Sequence, residues 1–370
     1  MASGWSDLPT ELLNIGPAYY AQFGVVCTSW KSAVCLCRKN ISQLPVLVFP
    51  NTSFKSSTFF SFSTRNYHTL KRQESIPCGC YGSSHGWLLT KDEDSYDVSN
   101  FKLVNRFLSV DNVIELPPLL ANSIQKGVLS DNPAWTSDYA IMIIYNYDRS
   151  KLAFLKPGHK SWTHINQGYR QCFTDLIYYK DQFYVVTKSG KVMFCDISSN
   201  RPKLKNVVAP TPIPSDIICS YKFQYQWFVY MYLVKSAGDL LCVARITDVK
   251  RTLGFQIFKY QSKWEWIKVK NLRGHTLFLG DYSSSLSLLA SDFGNCKPNH
   301  IYFTYDKFDI GEFNAEDRSL KSHYYEDICN LGIQQPVWVQ ATLYMRKATW
   351  IQSPFKHQEF LSFRKTRSCV

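Results

Sequence analysis

From Leu44-Pro45 to about residue 345 the chain is written in short runs of aromatic and β-branched residues, each closed by Gly, Asn, Asp or Pro. Nothing in it constrains the fold more. Runs of this length with period-two alternation read as strands, and turn signals every ten or so residues leave no room for long helices. Strands are expected at 86–89, 101–104, 139–145, 151–155, 182–187, 191–197, 230–235, 239–246, 254–260, 300–304 and 336–339.

The runs also repeat loosely. The stretch LAFLKPGHKSWTHI (152–165) matches GFQIFKYQSKWEWIKV (254–269), and FYVVTKSGKVMFCDI (183–197) matches YLVKSAGDLLCVARI (232–246). Each match holds a strand, a turn and a further strand, as in the four-stranded meander of a β-propeller blade. At ~40–50 residues per blade, some three hundred residues hold roughly six or seven. The fold expected is therefore mainly β, with a propeller-like domain over 45–345.

Residues 5–44 have a different texture. Asp7 can cap a helix that has Pro9 in its first turn and Leu12 and Leu13 as apolar positions. After Gly16-Pro17, the residues Phe23, Val26, Cys27, Trp30, Val34 and Cys37 recur three or four apart on one helical face. Residues 346–370 form a basic tail with Lys356, Arg364, Lys365 and Arg367.

Composition narrows the classes. At 45% hydrophobic and 15% aromatic residues the chain can bury a core. No apolar run reaches the ~18 residues that span a bilayer. The start MASGWSDLPTELL lacks a basic stretch followed by an apolar one, so no secretory signal is expected. A cytoplasmic or nuclear location follows, in which the 12 cysteines are buried thiols and the sequons at Asn40 and Asn51 are chance matches. The 42 Lys+Arg against 29 Asp+Glu give +13, which reads as a solvated basic surface favouring acidic partners rather than as a nucleic-acid site.

Motifs for catalysis fail on context. Gly82-Ser83-Ser84-His85-Gly86 has G-x-S-x-G spacing, but Trp87-Leu88-Leu89 after it reads as strand where a nucleophile elbow needs a helix. Cys78, Cys80 and His85 lack the second ligand pair of a structural zinc site. No glycine-rich phosphate loop occurs. Neither an enzymatic activity nor a cofactor or metal is expected.

Two segments carry a family likeness. WSDLPTELL…FGVVCTSWKSAV resembles the F-box: Leu8, Pro9, Leu12 and Leu13 match its first half, and Phe23, Val26, Cys27, Trp30 and Lys31 its second. The phrases CYGSSHGWLL, VIELPPL, KGVLSDNP, YYKDQFYVV and LFLGDYSSSLSLLASDFGNCKPNHIYFT resemble, in order, the kelch-like domain of unknown function that follows the F-box in plant proteins of the SKIP-like group. This likeness spans roughly residues 75–340. It implies a substrate receptor of an SCF-type ubiquitin ligase. Leu8, Pro9, Leu12, Leu13, Phe23, Val26 and Trp30 would dock on a Skp-type adaptor, and the propeller would hold a target protein. The F-box is shortened between its halves, with Gly16-Pro17 in the expected helix and Tyr19 and Gln22 replacing the usual Asp and Arg.

Target contacts are expected in loops that combine basic and aromatic residues, at 221–227, 259–266 and 305–308, with Lys222, Lys263 and Lys307 as the test positions. Two other readings stay open. One is an interaction propeller that has lost adaptor binding. The other is a lectin or enzyme using Trp87, Trp135, Trp162, Trp264 and Trp266 as stacking residues.

Overall fold

The computed structural model describes residues 45–50, 57–61, 66–70, 79–91, 100–105, 113–119, 123–146, 150–167, 171–197, 202–206, 228–248, 251–261, 265–293, 296–304, 309–322, 336–339 and 351–352. The adaptor-docking segment expected at 5–44 lies outside them.

Twenty-six strands fall into six sheets among the described residues. Blade 1 holds β1 (Val46–Pro50), β2 (Ser57–Ser61) and β3 (Asn66–Leu70). Blade 2 holds β4 (Cys80–Ser84), β5 (Trp87–Lys91), β6 (Phe101–Val104) and β7 (Val113–Glu115). Blade 3 is β8 (Ile124–Leu129), β9 (Ile141–Tyr145), β10 (Lys151–Leu155) and β11 (Thr163–His164). Blade 4 is β12 (Phe173–Tyr179), β13 (Gln182–Thr187), β14 (Val192–Cys195) and β15 (Leu204–Asn206). Blade 5 is β16 (Phe228–Ser236), β17 (Asp239–Thr247), β18 (Thr252–Gln261) and β19 (Glu265–Val269). Blade 6 is β20 (His275–Gly280), β21 (Leu286–Leu289), β22 (His300–Thr304), β23 (Ile310–Asn314) and β24 (Leu320–Ser322). Finally β25 (Val337–Val339) and β26 (Ile351–Gln352) join opposite edges of blade 1, on β1 and β3.

The strands stand as they do because both faces are apolar. In β9, Ile141, Ile143 and Tyr145 point into the core shared with blade 2, while Met142 and Ile144 point into the core shared with blade 4. Strand β16 divides in the same way, Met231 and Leu233 towards blade 4 and Tyr232 and Val234 towards blade 6. Period-two alternation between two buried faces leaves each sheet sandwiched between its neighbours.

The inner strands form a closed ring. β4 packs on β8, β8 on β12, β12 on β16 and β16 on β21, and β25 meets both β20 and β4. Closure is carried by the antiparallel pairing of β25 with β1, Val48 opposite Val337 and Leu47 opposite Trp338. Such a ring leaves no exposed edge between first and last blade. Blades 2 and 3 approach so closely that a Cβ on Gly82 would lie 2.5 Å from the Gly127 carbonyl oxygen, so only glycine fits there.

The expected strands are present throughout, within a few residues at each end. One repeat pairing needs correction. Segments 152–165 and 254–269 both span the third and fourth strands of a blade, so that match is in phase. Segment 183–197 spans the second and third strands of blade 4, whereas 232–246 spans the first and second of blade 5. The similarity there is that of any two buried hairpins. Blade 6 also departs from a simple meander: β20 runs parallel to β22, and β21 is laid on the inner side of β20.

Candidate functional site

The connection between β20 and β21, residues 281–285, crosses the middle of the ring and touches four other blades. Tyr232 of blade 5 donates its hydroxyl to Asp281 Oδ1 at 2.8 Å. Ser283 Oγ accepts from the Trp338 backbone amide of blade 1 at 2.8 Å, and the Ser284 amide donates to the Ser83 carbonyl of blade 2 at 2.8 Å. Ser285 Oγ donates to Asp175 Oδ2 of blade 4 at 3.4 Å. The channel is thus filled by a polar plug.

Around it sit titratable side chains, of which Lys126, Asp175, Arg245 and Asp309 are buried and Asp281 half-buried. The Lys126 ammonium of β8 pairs with Asp175 of β12, both side chains fully buried. Asp175 also accepts the amides of Leu176 and Leu233, each at 2.8 Å. Burial raises its carboxyl pKa, and Lys126 and these donors pull it partly back. Burial pushes Asp281 up to about 6, with Arg245 opposing. Arg245 binds Asp309, and its Nε donates to Thr252 Oγ1 at 2.7 Å, tying blade 5 to blade 6. The contacts of loop 281–285, the Lys126–Asp175 pair and the Arg245–Asp309 pair each join different blades, so the plug is structural chemistry.

One end of the ring carries the turns that follow the inner strands. In blades 2, 4 and 5 these are two-residue turns, His85-Gly86, Lys180-Asp181 and Ala237-Gly238, with φ of 53° and 80°, 46° and 60°, and 50° and 80°. Paired positive φ values are those of type I′ turns, whose twist matches the flanking strands. Blade 3 differs: residues 130–140 join β8 to β9 and expose Trp135 (40%). His85 is exposed yet crowded, as in a recess; the crowding lowers its pKa, with Asp131 raising it and Lys235 of blade 5 lowering it further.

Ser84 ends β4 and the His85-Gly86 turn leads directly into β5. The Gly82–Gly86 spacing is strand–turn–strand, which cannot present a nucleophile as an elbow does. Cys80 is buried, and burial pushes its thiol up to about 12. Buried thiols of this kind recur at Cys195 and Cys242, while Cys172 is exposed. Among the described residues no group of three or more His, Cys, Asp or Glu could hold a metal ion.

The sequence-predicted contacts are placed unevenly. Leu8, Pro9, Leu12, Leu13, Phe23, Val26 and Trp30 lie outside the described residues, as do Lys222, Lys263 and Lys307. Of the segment 259–266, residues 259–261 belong to β18 and 265–266 to β19, so most of it is strand rather than loop. Lys259 pairs there with Asp239 at 2.7 Å. Trp87 and Trp162 are core residues, their indole N–H groups donating to Asn132 Oδ1 and to the Pro117 carbonyl, each at 2.9 Å. Trp266 packs on Tyr260. Of the described tryptophans named as stacking candidates, Trp135 alone is exposed.

Sequence reasoning missed Lys126, Asp175 and Asp281. The signal was a charged residue at an inward position of an apolar run, such as Lys126 between Ile124 and Val128.

A family model described as KIB1-4 beta-propeller matches residues 59–324. A protein of Arabidopsis thaliana with an F-box designation, At5g55150, is 27% identical over 352 residues, covering 90% of this chain and 94% of its own. The F-box protein SKIP23 of the same plant is 24% identical over 424 residues, covering 98% and 99%. Among solved structures, the β-propeller domain of Myceliophteria thermophila Cps50 (Swd1) aligns with a TM-score of 0.38 and 10% identity over 76% of this chain and 85% of that one.

Proposed function

Because the chain belongs to the KIB1-4 beta-propeller family, we propose that it is the target-recruiting subunit of an SCF-type ubiquitin ligase. In this reading the segment 5–44 docks on a Skp-type adaptor through Leu8, Pro9, Leu12, Leu13, Phe23, Val26 and Trp30. The propeller holds the protein to be modified and performs no chemistry itself. One observation carries the proposal. The alignment with the F-box protein SKIP23 covers 98% of the chain, and the 2% left over (100 − 98) is far shorter than the segment 5–44. Similarity to an F-box protein therefore extends into the region where the F-box-like residues stand.

The physical basis expected from the sequence is an apolar stripe in segment 5–44 that would dock on the adaptor, beside a propeller whose loops would take the target. The ubiquitin-ligase partners, the kelch-like subtype and a cytoplasmic or nuclear site of action are parts of the same proposal. Lys222, Lys263 and Lys307 remain its candidate target contacts. The shortened F-box, with Gly16-Pro17 in its expected helix, favours as second reading a propeller that has lost adaptor binding.

The test is capture of a purified Skp-type adaptor by the full-length protein. Leu12→Asp and Phe23→Asp should each abolish capture, because an unpaired charge in an apolar interface is costly. Their circular dichroism should stay that of a β-protein. Wild-type protein that captures no adaptor removes the ligase reading and leaves the second one.

A further inference from the structure

We propose that the long β8–β9 connection docks a basic, extended segment of a partner protein, with Trp135 as aromatic anchor and Asp131, Asp138 and Asp181 as its counter-charges. This deepens the recruiting function proposed above and rests on it for the identity of the partner as a target.

Among blades 2 to 5 this is the longest of the connections that follow the inner strand. Where blades 2, 4 and 5 need two residues, blade 3 uses residues 130–140. Extra chain on a closed scaffold is where recognition is expected, since the strands themselves bury one another. The loop is also held rigidly. Asn132 Oδ1 accepts both the Trp87 indole N–H, at 2.9 Å, and the Ala134 amide, at 3.0 Å. The Trp135 and Thr136 amides donate to the Asn132 carbonyl at 2.9 and 3.3 Å, and the Thr136 hydroxyl oxygen accepts the Asp138 amide at 3.0 Å. Ser130 Oγ accepts the Ala140 amide at 2.8 Å, closing the base. Trp135 is therefore an exposed indole on a hydrogen-bonded loop, which Asn132 ties to buried Trp87. Little ordering entropy remains to be lost on binding, which is the property of an interface anchor.

Charge selects the occupant. The chain carries +13 overall, yet this connection holds Asp131 and Asp138, and the turn after the inner strand of neighbouring blade 4 holds Asp181, all exposed. All three act on one phenol: the pKa of half-buried Tyr178 is raised by burial first and then by Asp181, Asp131 and Asp138. Two cations stand near: Lys180, which precedes Asp181 in its turn and lies over the Tyr179 ring at 5.2 Å, and Lys235 of blade 5. Three carboxylates beside an indole and a phenol fit arginine or lysine side chains, which pair with the carboxylates and stack on the rings. The same carboxylates repel nucleic-acid phosphates and acidic protein surfaces, so the overall positive charge does not describe this face.

The test uses the full-length protein against an array of nonapeptides graded in Arg, Lys, Glu and Leu content. Arg- and Lys-rich peptides should be retained, and the strongest binder should serve for titration. Trp135→Ala should weaken it by at least about tenfold, and Trp135→Phe by less. Asp131→Asn with Asp138→Asn should weaken it comparably and flatten its salt dependence, since Asn keeps the acceptor oxygen used by the Asn132 amide. Thermal melts should be unchanged. Retention of Glu-rich peptides, tighter binding of an oligonucleotide than of basic peptides, no retention at all, or full binding by Trp135→Ala would each overturn the proposal. Adaptor capture measured alongside separates the two readings. Capture without selective peptide binding sinks this surface alone, and peptide binding without capture sinks the ligase function alone.

Discussion

Replacing Lys126 by Met removes one half of a buried ion pair and leaves the other in place. Lys126 and Asp175 are 1% and 0% exposed, so neither charge can turn to water. Without the ammonium, Asp175 keeps the Leu176 and Leu233 amides and the Ser285 hydroxyl. An uncompensated buried charge of this kind costs about 3–5 kcal/mol, a fall in Tm of roughly 5–10 °C. The loss should depend on pH. Burial already holds the folded pKa of Asp175 above its unfolded value, and removing Lys126 raises it further. A raised folded pKa gives stability at low pH that is lost as pH rises through it, so the deficit of Lys126→Met should be larger at pH 8 than at pH 5. The double variant Lys126→Met with Asp175→Asn keeps the amide acceptor and removes the stranded charge, and should recover all but about 1–2 kcal/mol. Urea midpoints followed by circular dichroism at both pH values provide the assay. A single variant within about 1 kcal/mol of wild type, or additive losses in the double, would show that the pair is solvated and the channel open.

Gly82→Ala should destabilise by about 2 kcal/mol or more, because the new methyl meets the Gly127 backbone, which cannot rotate away as a side chain could. Normal melts for this variant would mean that blades 2 and 3 stand further apart than described. Asp281→Asn should remove a pH dependence of stability. With a folded pKa of about 6, above the usual carboxylate range, wild-type stability from this group is full below about pH 4 and lost as pH rises through about 6. The carboxamide of the variant still accepts the Tyr232 hydroxyl and is indifferent to pH. Parallel wild-type and variant Tm values across pH 4–7 would refute it.

The short runs 139–145 and 230–235 announced strands through their length, their β-branched and aromatic residues and the turn signals around them, and the tertiary structure then buried both faces. The turn at His85-Gly86 followed from the same local rules, and so did the failure of Gly82–Gly86 as a nucleophile elbow. Trp135, by contrast, read as one stacking candidate among five. Its exposure was settled by the hydrogen bonds of Asn132, and Asn132 is held by a tryptophan 45 residues away. Lys126 and Asp175 stand on different blades, and no local pattern pairs them. Loop 281–285 looked like any Ser-rich turn, and only ring closure made it the plug of a channel. Strand identity is decided by neighbours in sequence, which the chain states openly. The plug and the setting of Trp135 are decided by which blades face each other, a consequence of closing six sheets into one ring.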